Sequence, residues 1–360
     1  MVDEELRSRL ASAGAVVIEG AKACGKTATA TQAAASSVLL DTDANALAAA
    51  TTDPNLVLDG LAPRLIDEWQ LAPVVWNHVR RAVDGRRVPG QFILTGSSVP
   101  ADDPMRHTGA GRFSLLRMRP MTLFETGHST GAISLESVMR GEPPRAADPG
   151  LATRDLADRI TVGGWPAQQH GSISDAARAA RDYLRQIREV DVNRIDERRR
   201  EGAQRDASKI GALMTSLARN TATEADVTVL SADAGGGDGP LDRHTTASYL
   251  NILDRLMVIE DQPAWAPHLR SKAQMRRSPK RHFVDPSLAM AALAAGPERL
   301  LADLNLFGLL FESLVIRDLR VFAQPMDGRV LHYRDNYGQE VDAVVELADG
   351  GWAAFEVKHG

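Results

Sequence analysis

At 360 residues the chain is too long for one average domain, and 44% hydrophobic with 25% charged residues is typical of a globular protein. Its net charge of −5 gives no general attraction to nucleic acid, and its single cysteine, Cys24, excludes an internal disulfide framework and a cysteine-based zinc site. No apolar run approaches the roughly 18 residues of a membrane span, and the N-terminus is acidic and polar rather than a signal peptide, so we expect a cytoplasmic protein.

The first part of the chain, residues 14–126, alternates short apolar runs with helix-like stretches. The runs are "GAVVIEG", "SSVLLDTD", "PRLIDEWQ", "QFILTGSS" and "FSLLRMRP". Strands that alternate with helices predict a parallel sheet with helices on both faces. We therefore predict an α/β domain over residues 1–126.

The first run leads into "GAKACGKT", from Gly20 to Thr27, which matches the phosphate-binding loop G-x-x-x-x-G-K-[ST]. In such a loop, backbone N–H groups wrap an anion at the start of a helix, where the helix dipole favours negative charge. Gly20 and Gly25 allow the tight path, Lys26 reaches the outer phosphates, and the Thr27 hydroxyl ligates Mg²⁺. The predicted ATP-binding residues are Gly20, Ala21, Lys22, Ala23, Cys24, Gly25, Lys26, Thr27 and Ala28.

An acidic pair ends the third run. Asp67 and Glu68 have the form of a Walker B element, in which Asp67 would hold Mg²⁺ through water and Glu68 would polarise the attacking water. The alternative is an ordinary acidic strand end. Arg64 makes this run less apolar than usual, which leaves the start of the strand open.

Polar residues at the ends of the next runs complete the predicted site. Thr95 and Ser97 would lie beside the γ-phosphate, unless they form an ordinary polar strand end. Arg112 would act either as an arginine finger on a neighbouring subunit or as a pin that holds a loop to the sheet. Cys24, inside an anion-binding loop, should have a lowered thiol pKa if it is exposed.

From residue 127 to 205 the pattern turns helical and predicts a helical lid. "ISLESVMRGE", "TRDLADRITVGGWP" and "SDAARAARDYLRQIREVDVNRIDERRR" are the predicted helices. The arginine-rich run from Arg178 to Arg205 interleaves with Asp and Glu, which favours a solvated amphipathic helix over a nucleic-acid-binding stripe.

Residues 206–270 predict a small winged-helix unit, from the order helix, loop, helix and strand. The predicted loop, residues 223–240, carries the glycine-rich stretch 235–239. The second helix of such units reads DNA or packs against a partner protein. Its candidate contact residues are Arg243, His244, Thr245 and Tyr249.

Residues 271–360 predict a helix, "LFGLLFESLVIRDLRVFA", and then a strand pair, "RVLHYRDNYGQEVDAVVEL" and "GWAAFEVKHG". The turn Asp349-Gly350-Gly351 favours a hairpin. Between the predicted winged helix and this helix lies a basic cluster that would bind a phosphate backbone without sequence preference, or else form a solvated loop or a domain contact. Its members are Arg270, Lys272, Arg276, Arg277, Lys280 and Arg281.

The motifs "GAKACGKT", "RLIDEWQLAP", "FILTGSS", "GAGRFSLLRMRPMTLFE" and "VGGWPA" resemble, in order and spacing, prokaryotic AAA-type ATPases joined to a C-terminal domain of uncharacterised function. "YLNILDRLMVIEDQPAW", "SPKRHFVDPSLA", "FGLLFESLV" and "YRDNYGQEVDAVVE" with "FEVK" extend the resemblance over nearly the whole chain. It implies an AAA-type core with a helical lid, a winged helix and a small α/β module similar to PD-(D/E)XK nucleases. Lys22, more often arginine, and the 235–239 insertion depart from the pattern.

The nuclease resemblance implies a second metal site, in which a metal activates water and neutralises phosphate. Asp342 before the hairpin and Glu356-Val357-Lys358 after it fit that layout, and Glu312 on the preceding helix would supply a further acid. The chain ends at Gly360, where a nuclease fold would continue with a helix and a strand. Either the module is trimmed and inactive, or the chain is a piece of a longer protein, or the resemblance misleads.

The sequence thus predicts an ATP-binding, Mg²⁺-dependent ATPase whose nucleotide state controls the C-terminal modules. The alternatives are an ATP-regulated nuclease acting on DNA and a non-hydrolysing switch that holds a partner protein. DNA, through the winged helix and the basic cluster Arg270–Arg281, a partner protein and a second copy of the chain are the candidate partners. The predicted domains are an ATPase core (1–126), a lid (127–205), a winged helix (206–270) and an incomplete nuclease-like module (271–360).

Overall fold

The computed structural model describes residues 1–97, 109–147, 150–194, 205–235, 239–266, 278–335 and 337–358. The chain packs as two compact units: Met1–Arg119 with Arg255–Met257, and Pro120–Asp254 with Val258–Gly360. The predicted domain boundaries at 126, 205 and 270 stay predictions. No helix among the described residues is both long enough and apolar enough to cross a bilayer.

The first unit contains the predicted parallel sheet. Its strands are β1 (Ala15–Gly20), β2 (Ser36–Leu39), β3 (Arg64–Asp67), β4 (Phe92–Gly96) and β5 (Phe113–Met118). The five strands lie in the order β2-β3-β4-β1-β5, and every pairing is parallel. The prediction of a parallel α/β sheet from the five apolar runs is confirmed. β3 begins at Arg64, whose guanidinium donates to the Val57 carbonyl (2.7 Å) and to Ser36 Oγ (3.1 Å).

Helices cover both faces of this sheet. They are α1 (Val2–Ser12), α2 (Lys26–Ala33), α3 (Ala44–Thr52), α4 (Asn55–Leu58) and α5 (Val75–Arg86), with a 3-10 turn at Trp69–Leu71. Alternate residues of β1 enter different cores: Val17 packs with residues of α3, α4 and α5, whereas Ile18 packs with residues of α1 and α2. Burial on both faces explains why the strands are near-continuous apolar runs.

The second unit is mainly helical. Its helices are α6 (Leu135–Met139), α7 (Thr153–Val162), α8 (Ile173–Gln186), α9 (Val192–Arg194), α10 (Ala207–Arg219), α11 (Val227–Gly235), α12 (Arg243–Arg255), α13 (Pro286–Ala292), α14 (Pro297–Leu301) and α15 (Leu304–Ala323). A π-helical turn at Ile187–Asp191 joins α8 to α9, and 3-10 turns lie at Pro166–Gln168 and Gln324–Met326. On α8, Ala180 and Leu184 are buried while Arg178 and Arg185 are exposed, as a solvated amphipathic helix requires. Residues 195–204 of the predicted arginine-rich run lie outside the described residues.

The C-terminal strands are β6 (Arg329–Arg334), β7 (Glu340–Glu346) and β8 (Trp352–Phe355), in an antiparallel sheet of order β6-β7-β8. The segment predicted as the first strand of a pair is therefore two strands. The predicted hairpin joins β7 to β8. One face of this sheet packs on α15, where Val330, Ala343 and Val345 meet Ile316 and Ala323.

Two details of the predicted winged helix differ from the structure. Residues 223–240, predicted as a loop, contain α11, because Val227–Leu230 supply apolar residues and Leu230 is buried before the glycines begin. The strand predicted after α12 is instead a set of isolated antiparallel bridges, Ile259 to Phe283 and Gln262 to Lys280.

Candidate active site

The loop after β1 has the backbone that its glycines predict. Gly25 has φ of 104° and caps α2, so the unpaired N–H groups at the start of that helix face the loop. Ala23 also adopts a left-handed φ, of 61°. At Gly20 an added Cβ would lie 2.2 Å from the Met118 carbonyl oxygen, so only glycine fits between β1 and β5.

Lys26 is folded into this loop. Its side chain is buried, and Nζ donates to the carbonyl oxygens of Gly20 (2.9 Å) and Ala21 (2.8 Å). The loop's own carbonyls thus hold the ammonium beside the N-terminus of α2. A cation at that position beside unpaired helix N–H groups is the arrangement that an anion-binding loop requires.

Thr27, Asp67 and Thr95 come together from three elements. Thr27 Oγ1 donates to both carboxylate oxygens of Asp67, at 3.0 and 3.2 Å, and Thr95 Oγ1 donates to the same carboxylate. They meet because α2 follows β1, while β3 and β4 are neighbours and end at the same edge of the sheet. Asp67 is buried.

This donor set fits Mg²⁺, which binds hydroxyl and carboxylate oxygens and keeps several waters or phosphate oxygens. Two such groups, Thr27 Oγ1 and the Asp67 carboxylate, are already in contact. Among the residues that the structure describes, no cluster of three or more His, Cys, Asp and Glu side chains is arranged to hold a metal ion. A P-loop magnesium site needs no such cluster, since phosphate supplies the remaining oxygens.

Glu68 lies next to this group in a left-handed conformation, with φ of 53°. Its backbone N–H donates to Thr95 Oγ1 (3.3 Å), and its carboxylate accepts from Ser97 Oγ (3.2 Å) and from Gln70 Nε2. The two candidate polar residues therefore have different partners, since Thr95 contacts Asp67 and Ser97 contacts Glu68. The sequence reasoning missed Gln70, although its place two residues after Glu68 in "DEWQ" was a usable signal.

Arg112 lies at the other edge of the sheet. It directly precedes β5, where Phe113 pairs with Ala15, whereas the loop follows Gly20 at the opposite end of β1. Its Nε donates to Asp84 Oδ1 at 2.9 Å, and its Nη1 donates to the Ala110 carbonyl. Within one chain these contacts fit a loop pin, and the arginine finger for a neighbouring subunit stays a prediction.

Cys24 is buried rather than exposed, with Sγ 3.6 Å from the Met118 carbonyl oxygen. Burial raises the pKa of the thiol and outweighs the nearby Lys26 ammonium, which lowers it. The lowered pKa is expected only of an exposed thiol, and Cys24 does not meet that condition. The thiol is a small filler between β1 and β5.

Native Cys24 should therefore react slowly with thiol reagents. We expect alkylation by iodoacetamide at pH 8 to be at least about 100-fold slower in the native protein than in urea, because the buried thiol reacts only after local opening. Since Cys24 is the single cysteine, mass spectrometry reads its modification directly, and Cys24→Ala is the blank. Equal rates in native and unfolded protein would contradict the buried position.

A second group of charges lies in the other unit. Lys280 Nζ lies 2.7 Å from Glu312 Oε1, 2.6 Å from Glu340 Oε1 and 3.7 Å from Asp342 Oδ1, and the lysine side chain is only 2% exposed. The structure thus brings the predicted Glu312 and Asp342 together. Sequence reasoning missed Glu340, which shares a face of β7 with Asp342, and it placed Lys280 in the basic cluster.

Glu356 does not join this group. β8 ends at Phe355, and beyond it Glu356 pairs with Lys358 at 3.3 Å, with both side chains more than half exposed. Asp342 instead accepts a hydrogen bond from the Val357 backbone N–H (2.7 Å). The predicted metal-binding set of Glu312, Asp342 and Glu356 is therefore not assembled among the described residues.

The charges of the cluster are unevenly matched, three carboxylates to one ammonium. Burial raises the pKa of Glu312 to about 7 despite Lys280. Burial alone would lower the pKa of Lys280. The neighbouring Glu312 and Glu340 carboxylates outweigh this effect, so the pKa of Lys280 is raised. The lysine is therefore the constant positive charge of the cluster.

Only some of the residues predicted to contact nucleic acid are among the described residues. Arg270, Lys272, Arg276 and Arg277 lie outside the described residues. Lys280 is buried, and so is Arg281, which pairs with Asp261 and donates to the Ala225 carbonyl (3.0 Å). These two cations make internal contacts rather than a phosphate-binding surface. On α12, Arg243 and His244 are exposed, Thr245 is half-buried and Tyr249 is buried.

Three matches to known families lie along the chain. Residues 12–127 match the family described as AAA domain, residues 153–299 match a domain of unknown function (DUF8612), and residues 307–360 match another (DUF4143). With the loop geometry above, the first match supports a P-loop ATPase. The other two families are of unknown function and indicate no activity.

Similarity to whole proteins is more distant. "Uncharacterized protein Rv2008c" of Mycobacterium tuberculosis and "Uncharacterized protein Mb2031c" of Mycobacterium bovis are each 24% identical over 363 residues, covering 98% of this chain and 72% of their own. The Walker-type ATPase PABY2304 of Pyrococcus abyssi superposes with a TM-score of 0.43 and 12% identity, over 81% of this chain and 94% of its own. Both mycobacterial relatives are uncharacterised, so they add no activity.

A buried ionic network lies in the second unit. Asp285 and Gly164, which belong to it, lie in "SPKRHFVDPSLA" and "VGGWPA", motifs that entered the sequence analysis only through the family resemblance. Arg317 on α15 donates to Asp285 Oδ2 (2.7 Å) and to Asp318 Oδ1 (2.7 Å), and all three residues are buried. Asp285 also accepts from the Gly164 N–H (2.9 Å), and Asp318 accepts from the Leu123 N–H (3.0 Å). The network therefore ties the segment before the predicted lid, at Leu123, and a turn within that lid, at Gly164, to α15.

Proposed function

We propose that the protein is an ATP-binding, Mg²⁺-dependent ATPase whose nucleotide state controls its C-terminal modules. The observation that carries this proposal is the contact between Thr27 and Asp67 beside a glycine-bent loop that holds Lys26. A P-loop ATPase needs this combination: N–H groups and an ammonium for the phosphates, and a hydroxyl with a carboxylate for the metal. The match of residues 12–127 to the AAA domain family supports the same activity.

Each residue of the proposed ATP site has a separate role. Backbone N–H groups of the loop bind the phosphates, and Lys26 exchanges its carbonyl partners for phosphate oxygens. Thr27 and Asp67 hold Mg²⁺, which when bound neutralises charge that develops on the phosphates. Glu68, held by Ser97 and Gln70, orients and polarises the attacking water. Thr95 keeps the Asp67 carboxylate in place.

Lys26→Ala tests this proposal. Because the variant removes the ammonium that faces the phosphates, we expect ATP affinity to fall about 100-fold or more, and turnover to disappear at the ATP concentration that saturates the native protein. Calorimetric titration with ATP and Mg²⁺, together with a phosphate-release assay, measures both. Lys209→Ala, at an exposed lysine on α10, is the matched control.

Two outcomes would count against the activity. Native protein that neither binds nor hydrolyses ATP with Mg²⁺ contradicts the ATPase proposal outright. Native protein that binds ATP but shows only a slow single turnover would instead favour the non-hydrolysing switch that holds a partner protein.

The proposed control acts through a winged-helix unit among the C-terminal modules. The order α10, α11 and α12 followed by the antiparallel bridges at Ile259 and Gln262 supports a winged-helix unit. Its exposed residues Arg243 and His244 give α12 a polar outer face for DNA or a partner protein. Turnover measured with and without DNA, RNA and a co-purified protein would name the partner. An ATP-regulated nuclease is not favoured, because the exposed Glu356 side chain pairs with Lys358 rather than with the cluster around Asp342.

A further inference from the structure

The cluster of Glu312, Glu340 and Asp342 around Lys280 has no part in the proposed ATPase chemistry. We propose that the Lys280 ammonium is a built-in cation, which takes the place that a divalent metal would take among these three carboxylates. The native cluster is therefore closed to metal, and it joins the segment around Lys280 to α15 and β7. This inference concerns the C-terminal module alone and does not depend on the ATPase.

The distances from Lys280 Nζ to the three carboxylates leave no room for a metal ion. An ammonium has three donors, and here they face three carboxylates, two at hydrogen-bond distance and Asp342 at 3.7 Å. A divalent ion would need some of the same oxygens at roughly 2.0–2.6 Å. Ion and ammonium cannot share that space, because both would contact Glu312 Oε1 and Glu340 Oε1.

The backbone of Lys280 is held in this position. Lys280 forms a backbone bridge with Gln262, whose side-chain amide donates to the Leu331 carbonyl (3.0 Å) and the Asp342 carbonyl (2.8 Å). The next residue but one, His282, is buried with its ring nitrogens 3.1 Å from Ser313 Oγ and 3.1 Å from Gln262 Oε1. The Lys280 backbone therefore cannot move away from β7 and α15 without breaking this buried polar network.

Lys358, the lysine of the predicted Glu356-Val357-Lys358 motif, lies elsewhere. Lys358 pairs with Glu356 on the exposed side of the chain after β8 and does not reach the cluster. The cation of the cluster therefore comes from a different segment, 78 residues earlier in the sequence. Without that cation the three carboxylates would repel one another and the buried Glu312 would lose its partner, and a divalent ion would relieve both effects.

The test compares Lys280→Met with Lys358→Met in the full chain, without nucleotide. Mn²⁺ is the probe, counted by the loss of its free EPR signal, and the melting temperature is measured in EDTA and in Mn²⁺. We expect native protein and Lys358→Met to melt at the same temperature in both solutions. Lys280→Met should melt about 10 °C lower in EDTA, recover about 5 °C in Mn²⁺, and bind one more ion than native protein.

Further variants identify the site. Adding Glu312→Gln to Lys280→Met should remove both the extra ion and the recovery, whereas adding Asp67→Asn should remove neither. Mn²⁺ bound by native protein and lost in Glu312→Gln would overturn the proposal, since the cluster would then already be a metal site. A folded Lys280→Met that gains no ion would also overturn it. If Lys280→Met folds only in Mn²⁺, the proposal is supported, and if it folds in neither solution, it fails.

Discussion

Glu68→Gln is expected to leave ATP binding nearly unchanged and to lower turnover about 100-fold or more. The amide has the shape of the carboxylate and keeps an oxygen for the Ser97 hydroxyl, so the local structure should persist. It lacks the negative charge that polarises the attacking water. Calorimetric titration with ATP and a phosphate-release assay on the same preparation separate the two effects.

The control for this variant is Glu136→Gln, which makes the same change at an exposed glutamate on α6. It should behave as native protein in both assays. Turnover of Glu68→Gln within a few-fold of native would remove Glu68 from the mechanism and leave the loop, Thr27 and Asp67 as a binding site only. Loss of ATP binding would show instead that the carboxylate maintains the structure around Gln70.

The sequence predicted the ATPase core well because its signals are local. Each strand of the parallel sheet is one apolar run, and the glycine-lysine motif fixes the loop through residues that are neighbours in the chain. Even the contact of Thr95 with Asp67 follows from a general rule, since parallel strands end at one edge. The structure had to supply the strand order, which makes β3 and β4 neighbours, the contact of Gln70 with Glu68 and the burial of Cys24.

The C-terminal half was predicted less well because its decisive contacts join distant residues. Nothing near Lys280 in the sequence shows that its partners are Glu312 and Glu340, and six cations in one stretch point to a basic surface. The glycines at 235–239 likewise marked a turn and obscured the helix that precedes them. Pattern alone also cannot show that Glu356 falls beyond the end of β8.

Arg317→Met should destabilise the second unit by about 3–5 kcal/mol, the effect of removing one partner of a buried ionic group. Asp285 and Asp318 would keep their carboxylates in the interior without the guanidinium that pairs with both. Urea unfolding measures the change in free energy. Arg329→Met, at a largely exposed arginine paired with Glu346, should change it by no more than about 1 kcal/mol.

Hydrogen exchange distinguishes this ionic network from mere loss of packing. The N–H groups of Leu123 and Gly164 donate to Asp318 and Asp285, so their protection should fall in Arg317→Met. At Gly163, with φ of 70°, an added Cβ would lie 2.4 Å from Asp285 Oδ1, so the segment depends on where that carboxylate lies. Unchanged protection at both amides would contradict this account.

Neutralising the whole network should be less harmful than removing its cation. In the triple variant Arg317→Met, Asp285→Asn, Asp318→Asn, no buried charge is left unpaired. The amide oxygen at position 318 can still accept from Leu123, and the single amide oxygen at position 285 can accept either from Gly164 or from the N-terminus of α13. We therefore expect the triple variant to regain about half or more of the stability that Arg317→Met loses. A triple variant less stable than Arg317→Met would show that the carboxylates stabilise the fold even without the arginine, and the ionic explanation would be wrong.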